Sequence, residues 1–439
     1  MQENVTPLSE EKASGTAESY LRVFSNLKEF CSSSVVRISK MKRTTLLFNV
    51  ILISYAAISL VQGVQNALIG NIAGNDFQWQ PSRQLLFGHD PYMAYLAFTD
   101  GHSLQNPLFM NQVPNYPAVG LIFLWPIAVL PWPIAKLVWC VLNIVLSAVL
   151  IFAVNGVYFK RGMLWVIFLF AFFISGTPFR NSLALGQQDV FSLAFFAASV
   201  YALQLKHTKL SGVLLAISWL KYSLTFPLTI FFLKKKGLPV IALALSIQIV
   251  LIILLGIWTH QNPLHLLWEP VLVAGEGGVW AGATDLFSIA KQVGLINHGA
   301  VIAIDLALLG IATLARLRAS SKDDPMVLAM LSLLALICCV HRAYDCVVLV
   351  YPACYVLWRA HAPAEGYRRA AEAATKFILC YCVIYYWYLS RLLDPVSRAF
   401  HSAALLNAAS SVSILGLYVS LALLIGMLLA PYPAAGTTS

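Results

Sequence analysis

The sequence predicts an all-α protein, a polytopic helical bundle that crosses a membrane about twelve times and carries a large first outer loop. Hydrophobic residues make up 59% of its 439 residues and charged residues only 11%, whereas a soluble domain normally has about 25% charged residues. Apolar runs recur from about residue 44 to about residue 430. Clusters of Lys and Arg separate them, which is typical of cytoplasmic loops. The net charge of +10 therefore does not indicate a nucleic-acid-binding protein.

Three segments divide the chain. Residues 1–43 are polar and are predicted to be cytoplasmic, with a short helix on the membrane surface. Residues 44–431 are predicted to form the transmembrane domain, and residues 432–439 a short tail. The candidate spans, identified from apolar length and proline breaks, are 44–70, 117–131, 134–156, 162–176, 189–205, 209–221, 222–233, 238–258, 299–316, 325–341, 344–359, 376–391 and 407–430.

Basic clusters between the spans predict the orientation of the chain. They are assigned to the cytoplasmic side, which puts two long polar loops, about 71–116 and about 259–298, on the outer side. One region conflicts with this pattern, because full crossings by both 117–131 and 134–156 would place Lys160 outside. We therefore expect the run at 117–131 to be partly re-entrant.

The cysteines do not indicate a metal centre. The chain has 8 cysteines, most of them in or beside apolar runs. Their spacing does not match that of zinc ligands, and a buried cysteine behaves as a small hydrophobe. We predict no disulfide framework, no metal site and no cofactor.

Rare ionisable residues converge on the predicted outer face. Charges at or within membrane spans are costly, so they usually pair with one another or serve a function. Transfer of a sugar from a lipid phosphate would need one carboxylate to take a proton from the acceptor hydroxyl. It would also need cations to hold the departing phosphate. The residues in question are Asp76, Arg83, Arg180, Asp189, Lys221, His341, Arg342 and Asp345.

Five motifs, taken in chain order, resemble those of glycosyltransferase family 87 in the GT-C superfamily. They are DFQWQPSRQLLFGHDPY at Asp76–Tyr92, NYP at Asn115–Pro117, GQQD at Gly186–Asp189, SGVLLAISWLK at Ser211–Lys221 and HRAYD at His341–Asp345. The resemblance implies a GT-C fold and an inverting membrane transferase that takes a sugar, often mannose, from polyprenyl phosphate. Two positions depart from the usual pattern, since Ala118 and Tyr222 stand where the family commonly has proline.

The resemblance also implies roles for particular residues. It matches Asp76 to the catalytic base, and Lys221 and His341 to polar positions near the donor phosphate. We predict that Arg83 and Arg342 bind the same phosphate. Arg83 would lie two helical turns beyond Asp76 if the segment between them is helical. Residues predicted to bind the substrates are Tyr92, Tyr116, Gln187 and Asp345.

Simpler structural roles remain open for these residues. An ion pair between Asp76 and Arg83 would order the loop without binding phosphate. Lys221 could extend its ammonium group to the membrane interface, and Gln187 could bridge helices. Tyrosines at the membrane boundary, including Tyr92 and Tyr116, often belong to an interfacial aromatic belt.

The sequence as a whole predicts a hexosyltransferase, with mannose as the favoured sugar. Its expected partners are a polyprenyl-phosphate sugar donor, a glycolipid or envelope glycan acceptor, and membrane lipids, with no nucleic acid. We expect a multi-pass protein of the bacterial inner membrane whose active site faces the periplasm. The alternatives are a multi-span transporter or lipid-linked sugar flippase, and a noncatalytic scaffold. Transporters often contain paired repeats, and none is evident here.

Overall fold

The computed structural model is helical throughout the residues that it describes. These residues contain no β-strand, which confirms the predicted all-α class. The chain divides into two compact units, Met1–Ser54 and Tyr55–Ser439. In the first unit, residues 43–54 are helical, and the rest of this account concerns the second unit. The described ranges are 43–72, 76–99, 112–275, 285–292, 294, 298–339, 342–361, 368–389 and 403–430.

The helices follow one another with short connections. The first ten are α1 Arg43–Ile69, α2 Trp79–Leu86, α3 Pro91–Thr99, α4 Ala118–Ile122, α5 Trp125–Ala128, α6 Trp132–Tyr158, α7 Met163–Ser175, α8 Thr177–Leu185, α9 Asp189–Gln204 and α10 Thr208–Ser218. The next nine are α11 Tyr222–Thr225, α12 Leu238–Thr259, α13 Pro263–Gly275, α14 Leu286–Gln292, α15 His298–Arg318, α16 Asp324–Cys338, α17 Val350–His361, α18 Arg368–Ile384 and α19 Ala403–Leu429. Short 3-10 segments lie at Trp219–Lys221, Pro227–Phe232, Ser321–Asp323 and Ala343–Leu349, and a π-helical turn at Tyr385–Leu389.

Several helices are long and apolar enough to cross a membrane. A sixth span exists if α7 and α8, which meet at a bend of 67°, cross as one unit. The protein is therefore a membrane protein, and the figure of about twelve crossings stays a prediction. The five spans are Leu47–Ile69, Trp132–Tyr158, Leu238–Thr259, Gly299–Arg318 and Ala409–Leu429.

The predicted span at 117–131 is not a continuous helix. It consists of α4 and α5, which contain five and four residues. A helix rises about 1.5 Å per residue and the hydrocarbon core is about 30 Å thick, so neither helix can cross it. Leu121 and Leu124 are fully buried in the protein. The apolar character of this run thus reflects burial against other helices, in agreement with the expected re-entrant course.

Helix α16 forms the centre of the bundle. Every residue from Pro325 to Ile337 is buried, and a helix that is hydrophobic all round is typical of a fully enclosed position. Helices α6, α9, α10 and α12 pack side by side in that order. Between α9 and α10, Ser199 Oγ donates to the Ser211 carbonyl at 2.7 Å and Ser211 Oγ to the Ser199 carbonyl at 2.8 Å. Small polar residues of this kind allow close contact between membrane helices.

A pair of carboxyl groups joins α3 to α13. Asp90 Oδ1 accepts hydrogen bonds from the backbone N–H groups of Tyr92 at 2.8 Å and Met93 at 3.2 Å, so this residue caps α3, as its place before Pro91 predicts. The side chain of Glu269 in α13 is hydrogen-bonded to that of Asp90. Burial, reinforced by the negative charge of Asp90, raises the pKa of Glu269 to about 7. The two carboxyl groups therefore share a proton below neutral pH.

This pair makes the stability of the protein depend on pH. Because the pKa of Glu269 is raised in the folded state, its stabilising effect is complete below about pH 4.5 and is lost as the pH rises through about 7. We expect wild-type protein to lose on the order of 1–3 kcal/mol of stability relative to Glu269→Gln between about pH 5 and about pH 8. Thermal unfolding of both proteins across this range measures the difference. A difference that stays constant with pH would show that the carboxyl pair does not share a proton.

Candidate active site

The backbone of Asp76 is fixed by the turn between α8 and α9. Its N–H donates to the Leu185 carbonyl at 2.7 Å, and its carbonyl accepts a hydrogen bond from Gln188 Nε2 at 2.9 Å. The turn itself is set by Gly186, which ends α8 in the left-handed conformation with φ of 67°. The predicted helix-bridging role of Gln188 is consistent with this contact. Asp76 is thus held against residues more than a hundred positions later in the chain.

Gln187 connects the carboxylate of Asp76 to two other side chains. Its Nε2 donates to Asp76 Oδ2. Its Oε1 accepts hydrogen bonds from Tyr116 OH at 3.2 Å and from Lys221 Nζ at 3.4 Å. The side-chain amide therefore has both its donor and its acceptor engaged, and Gln187 is buried with 1% exposure. This geometry places three of the predicted site residues around one amide.

Lys221 lies at the end of the 3-10 segment that follows α10. Its ammonium group forms an ion pair with Asp345 and lies 4.9 Å from the centre of the Tyr344 ring. Its backbone N–H donates to Ser192 Oγ at 3.0 Å. The segment packs closely on α4, because a Cβ at Gly120 would lie only 3.0 Å from the Leu220 Cα. Lys221 is consequently buried and held from several sides.

Arg342 brings a second cation to Asp76. Its Nη1 lies 4.0 Å from Asp76 Oδ2, and the side chains of Arg342 and Asp76 are 40% and 39% exposed. The backbone N–H of Arg342 donates to Asp345 Oδ2 at 3.1 Å, so Asp345 caps the 3-10 segment that follows. A half-exposed carboxylate and a half-exposed guanidinium therefore lie side by side, above the buried pair of Lys221 and Asp345.

The pKa of Asp76 lies above its usual value. Partial removal from water is the main cause. The positive charges of Arg342 and Lys221 and the hydrogen bond from Gln187 oppose this rise. A carboxylate whose pKa is closer to neutrality is a stronger base while still being ionised near pH 7. The environment of Asp76 thus suits proton abstraction.

Arg83 has a different position from the one that its spacing predicts. Helix α2 begins at Trp79, after Asp76, so the seven-residue interval does not follow one helical face. The guanidinium group of Arg83 donates to the Ala128 carbonyl at 3.4 Å and lies 5.2 Å from the Trp79 ring. The ion pair of Asp76 is instead with Arg342. Binding of phosphate by Arg83 stays a prediction, and His341 lies outside the described residues.

Tyr92 and Tyr116 are packed into the protein. Tyr92 is fully buried, and its OH donates to the Tyr116 carbonyl at 2.5 Å. Tyr116 is 7% exposed, and its OH donates to Gln187. Together they connect α3 to the amide beside Asp76. Their contact with a substrate stays a prediction, since the structure gives both rings an internal role.

Sequence reasoning did not assign roles to three side chains at this site. Tyr344 packs on the ammonium of Lys221, Ser192 accepts its backbone N–H, and Ser182 donates to Asp189. Tyr344 lies inside the HRAYD motif, which could have marked it. The serines carry no such signal, because a buried serine in an apolar helix looks the same whatever it contacts. Over the described ranges, no three His, Cys, Asp or Glu side chains are grouped so that they could hold a metal ion.

Comparison with known proteins identifies one family. The model of glycosyltransferase family 87 matches residues 115–342, more than half of the chain. Tyr116, Gln187, Lys221 and Arg342 fall within the match, whereas Asp76 precedes it. No curated protein and no solved structure matches the chain.

Proposed function

Because the chain belongs to glycosyltransferase family 87 and carries several apolar helices of spanning length, we propose that it transfers a hexose from a polyprenyl-phosphate carrier. The favoured hexose is mannose, and the acceptor is a hydroxyl group of a glycolipid or envelope glycan. The observation that carries this proposal is the half-exposed pair of Asp76 and Arg342 in a helical membrane protein. A lipid-linked donor can reach such a site by diffusing within the membrane.

The proposed reaction is a single displacement at the anomeric carbon. Asp76 takes the proton of the acceptor hydroxyl, and the acceptor oxygen attacks the anomeric carbon from the side opposite the phosphate. The bond between that carbon and the phosphate oxygen breaks, and its electron pair leaves with the polyprenyl phosphate. Arg342 stabilises the charge that develops on the phosphate, and His341, its neighbour in sequence, is proposed as a second cation. The configuration at the anomeric carbon is inverted.

The location of the site along α6 supports an extracytoplasmic reaction. Trp139 Nε1, near the start of α6, donates to the Gly186 carbonyl beside the site at 2.9 Å. The basic residues Lys160 and Arg161 follow the other end of this helix, at Tyr158. A rise of about 1.5 Å per residue separates Trp139 and Tyr158 by about 28 Å. If the basic loop is cytoplasmic, the site lies at the opposite face, which is the inner-membrane topology that we propose.

Helix α12 supports the same orientation. The basic cluster Lys234–Lys236 precedes the start of α12. At its other end, Trp258 Nε1 donates to the Leu85 carbonyl of α2 at 3.0 Å. Helix α2 directly follows the segment that contains Asp76. The two helices therefore independently separate basic loops from the site.

Sugar transfer by purified protein in proteoliposomes tests the proposed donor. We expect labelled hexose to move from a polyprenyl-phosphate hexose to lipid acceptors extracted from membranes, and not from the corresponding nucleotide sugar. The reason is that the site offers cations for one phosphate group and is embedded in a membrane protein. Transfer from nucleotide sugars alone would contradict the proposed donor. Movement of the lipid-linked sugar between leaflets without a covalent product would favour a flippase.

A further inference from the structure

The ammonium group of Lys221 is already compensated by carboxylates of the protein. It forms an ion pair with Asp345, and the negative charge of Asp189 also acts on it. Asp189 is fully buried and is held by Ser182 Oγ and by its own neighbour, the Val190 N–H, at 2.7 Å. A phosphate group would have to displace Asp345 to reach this ammonium group. It would then leave a buried carboxylate without its cation, which is strongly unfavourable.

Exposure separates the two cations further. The side chain of Lys221 is 7% exposed, whereas that of Arg342 is 40% exposed. A donor phosphate can approach Arg342 from solvent or from the membrane surface without moving another side chain. The guanidinium group also presents paired N–H donors that match phosphate oxygens. Of these two cations, Arg342 is the one presented to a ligand.

The ammonium of Lys221 instead acts on Asp76 through Gln187. Lys221 Nζ and Tyr116 OH both donate to Gln187 Oε1. With its oxygen occupied in this way, the amide can only turn its Nε2 donors toward Asp76 Oδ2. Removal of the ammonium would weaken this preference and allow the amide to rotate. The hydrogen bond that orients the carboxylate of Asp76 therefore depends on Lys221.

We propose that Lys221 is a positioning residue that orients Gln187 and thereby Asp76, and that Arg342 rather than Lys221 meets the donor phosphate. This inference rests on the proposed function for the identity of the phosphate. The charge of the pair formed by Lys221 and Asp345 also sets the field at Asp76. The other titratable groups that face Asp76 are Arg342, Tyr116 and Tyr344.

Binding of polyprenyl phosphate tests the division between the two cations. We expect Arg342→Gln to weaken binding about tenfold or more and Lys221→Met to leave it within about threefold. In sugar transfer, Lys221→Met should lower kcat with little change in the KM for the donor. Equal loss of polyprenyl-phosphate binding in the two variants would make Lys221 a phosphate ligand and overturn the proposal.

The Lys221→Met variant leaves Asp345 buried without its cation, so it could fail to fold. The double variant Lys221→Met with Asp345→Asn removes both charges of the pair and serves as the second test protein. It also lacks the ammonium group that holds Gln187. We therefore expect the same reduction in kcat and the same intact binding of polyprenyl phosphate. Wild-type kcat in the folded double variant would overturn the positioning role.

Titration of Asp76 provides a test that does not depend on the donor. A hydrophobic carbodiimide reacts with protonated carboxyl groups, and mass spectrometry measures its addition to Asp76. Removing the positive charge in Lys221→Met should extend labelling to higher pH, and removing the negative charge in Asp345→Asn should restrict it to lower pH. Shifts in the same direction, or no shift, would overturn the proposal. If wild-type protein binds no polyprenyl phosphate, the proposed donor is wrong, and this titration alone judges the role of Lys221.

Discussion

Asp76→Asn is expected to reduce sugar transfer by about 10²–10⁴-fold. Asparagine has nearly the shape of aspartate and can still accept the hydrogen bond from Gln187 Nε2. It cannot take a proton from an acceptor hydroxyl. The loss should therefore fall on kcat, while the KM for the donor changes little. Initial rates with a polyprenyl-phosphate sugar at saturating and limiting concentrations separate these two effects.

A second aspartate provides the matched control. Asp305 lies in α15, where its carboxyl group is hydrogen-bonded to the thiol of Cys338. Asp305→Asn should keep transfer close to that of the wild type, because Asp305 has no part in the proposed reaction. Thermal unfolding of both variants checks that each is folded. Full activity of folded Asp76→Asn would remove the proposed base.

Arg342→Gln is expected to reduce transfer by about 10²–10³-fold, because the charge that develops on the departing phosphate loses its cation. The KM for the donor should also rise, since the guanidinium group is exposed to the ligand in the free protein. Arg342→Lys should recover part of the activity, because it keeps the charge but not the paired N–H donors. Rates and KM values for the three proteins give the comparison.

Arg83 is the matched arginine for this experiment. Its guanidinium group packs on the Trp79 ring and contacts the Ala128 carbonyl. Arg83→Gln should therefore have a much smaller effect on the donor KM than Arg342→Gln. A loss of equal size in the two variants would place the phosphate along α2, where the spacing from Asp76 first suggested it.

Much of the site was predictable because ionisable groups are rare in an apolar chain. Burying a charge without a partner is costly, so Lys221 and Asp345 stood out, and the structure joins them in an ion pair. Gln187 was predictable as a bridging residue from its place in GQQD. The contacts between Asp76, Gln187 and Arg342 span more than 260 residues of sequence. Their motifs indicated membership of one site, although no local pattern fixed the distances.

Other features depend on tertiary structure. Apolar composition does not distinguish lipid from protein as the surroundings, so residues 117–131 resembled a span although they form two short buried helices. The assumption that one helix joins Asp76 to Arg83 failed because α2 starts at Trp79. Burial of Lys221 beside an exposed Arg342 follows from the packing of separate helices, and the sequence does not encode it in a short pattern.

The anomeric configuration of the product tests the central claim most directly. Of the carboxylates at the site, Asp189 and Asp345 are buried, which leaves the half-exposed Asp76 to act as a base in a single displacement. NMR spectroscopy of the sugar transferred from a donor of defined configuration should show complete inversion. Retention of configuration, or a glycosyl group covalently attached to Asp76, would contradict the account.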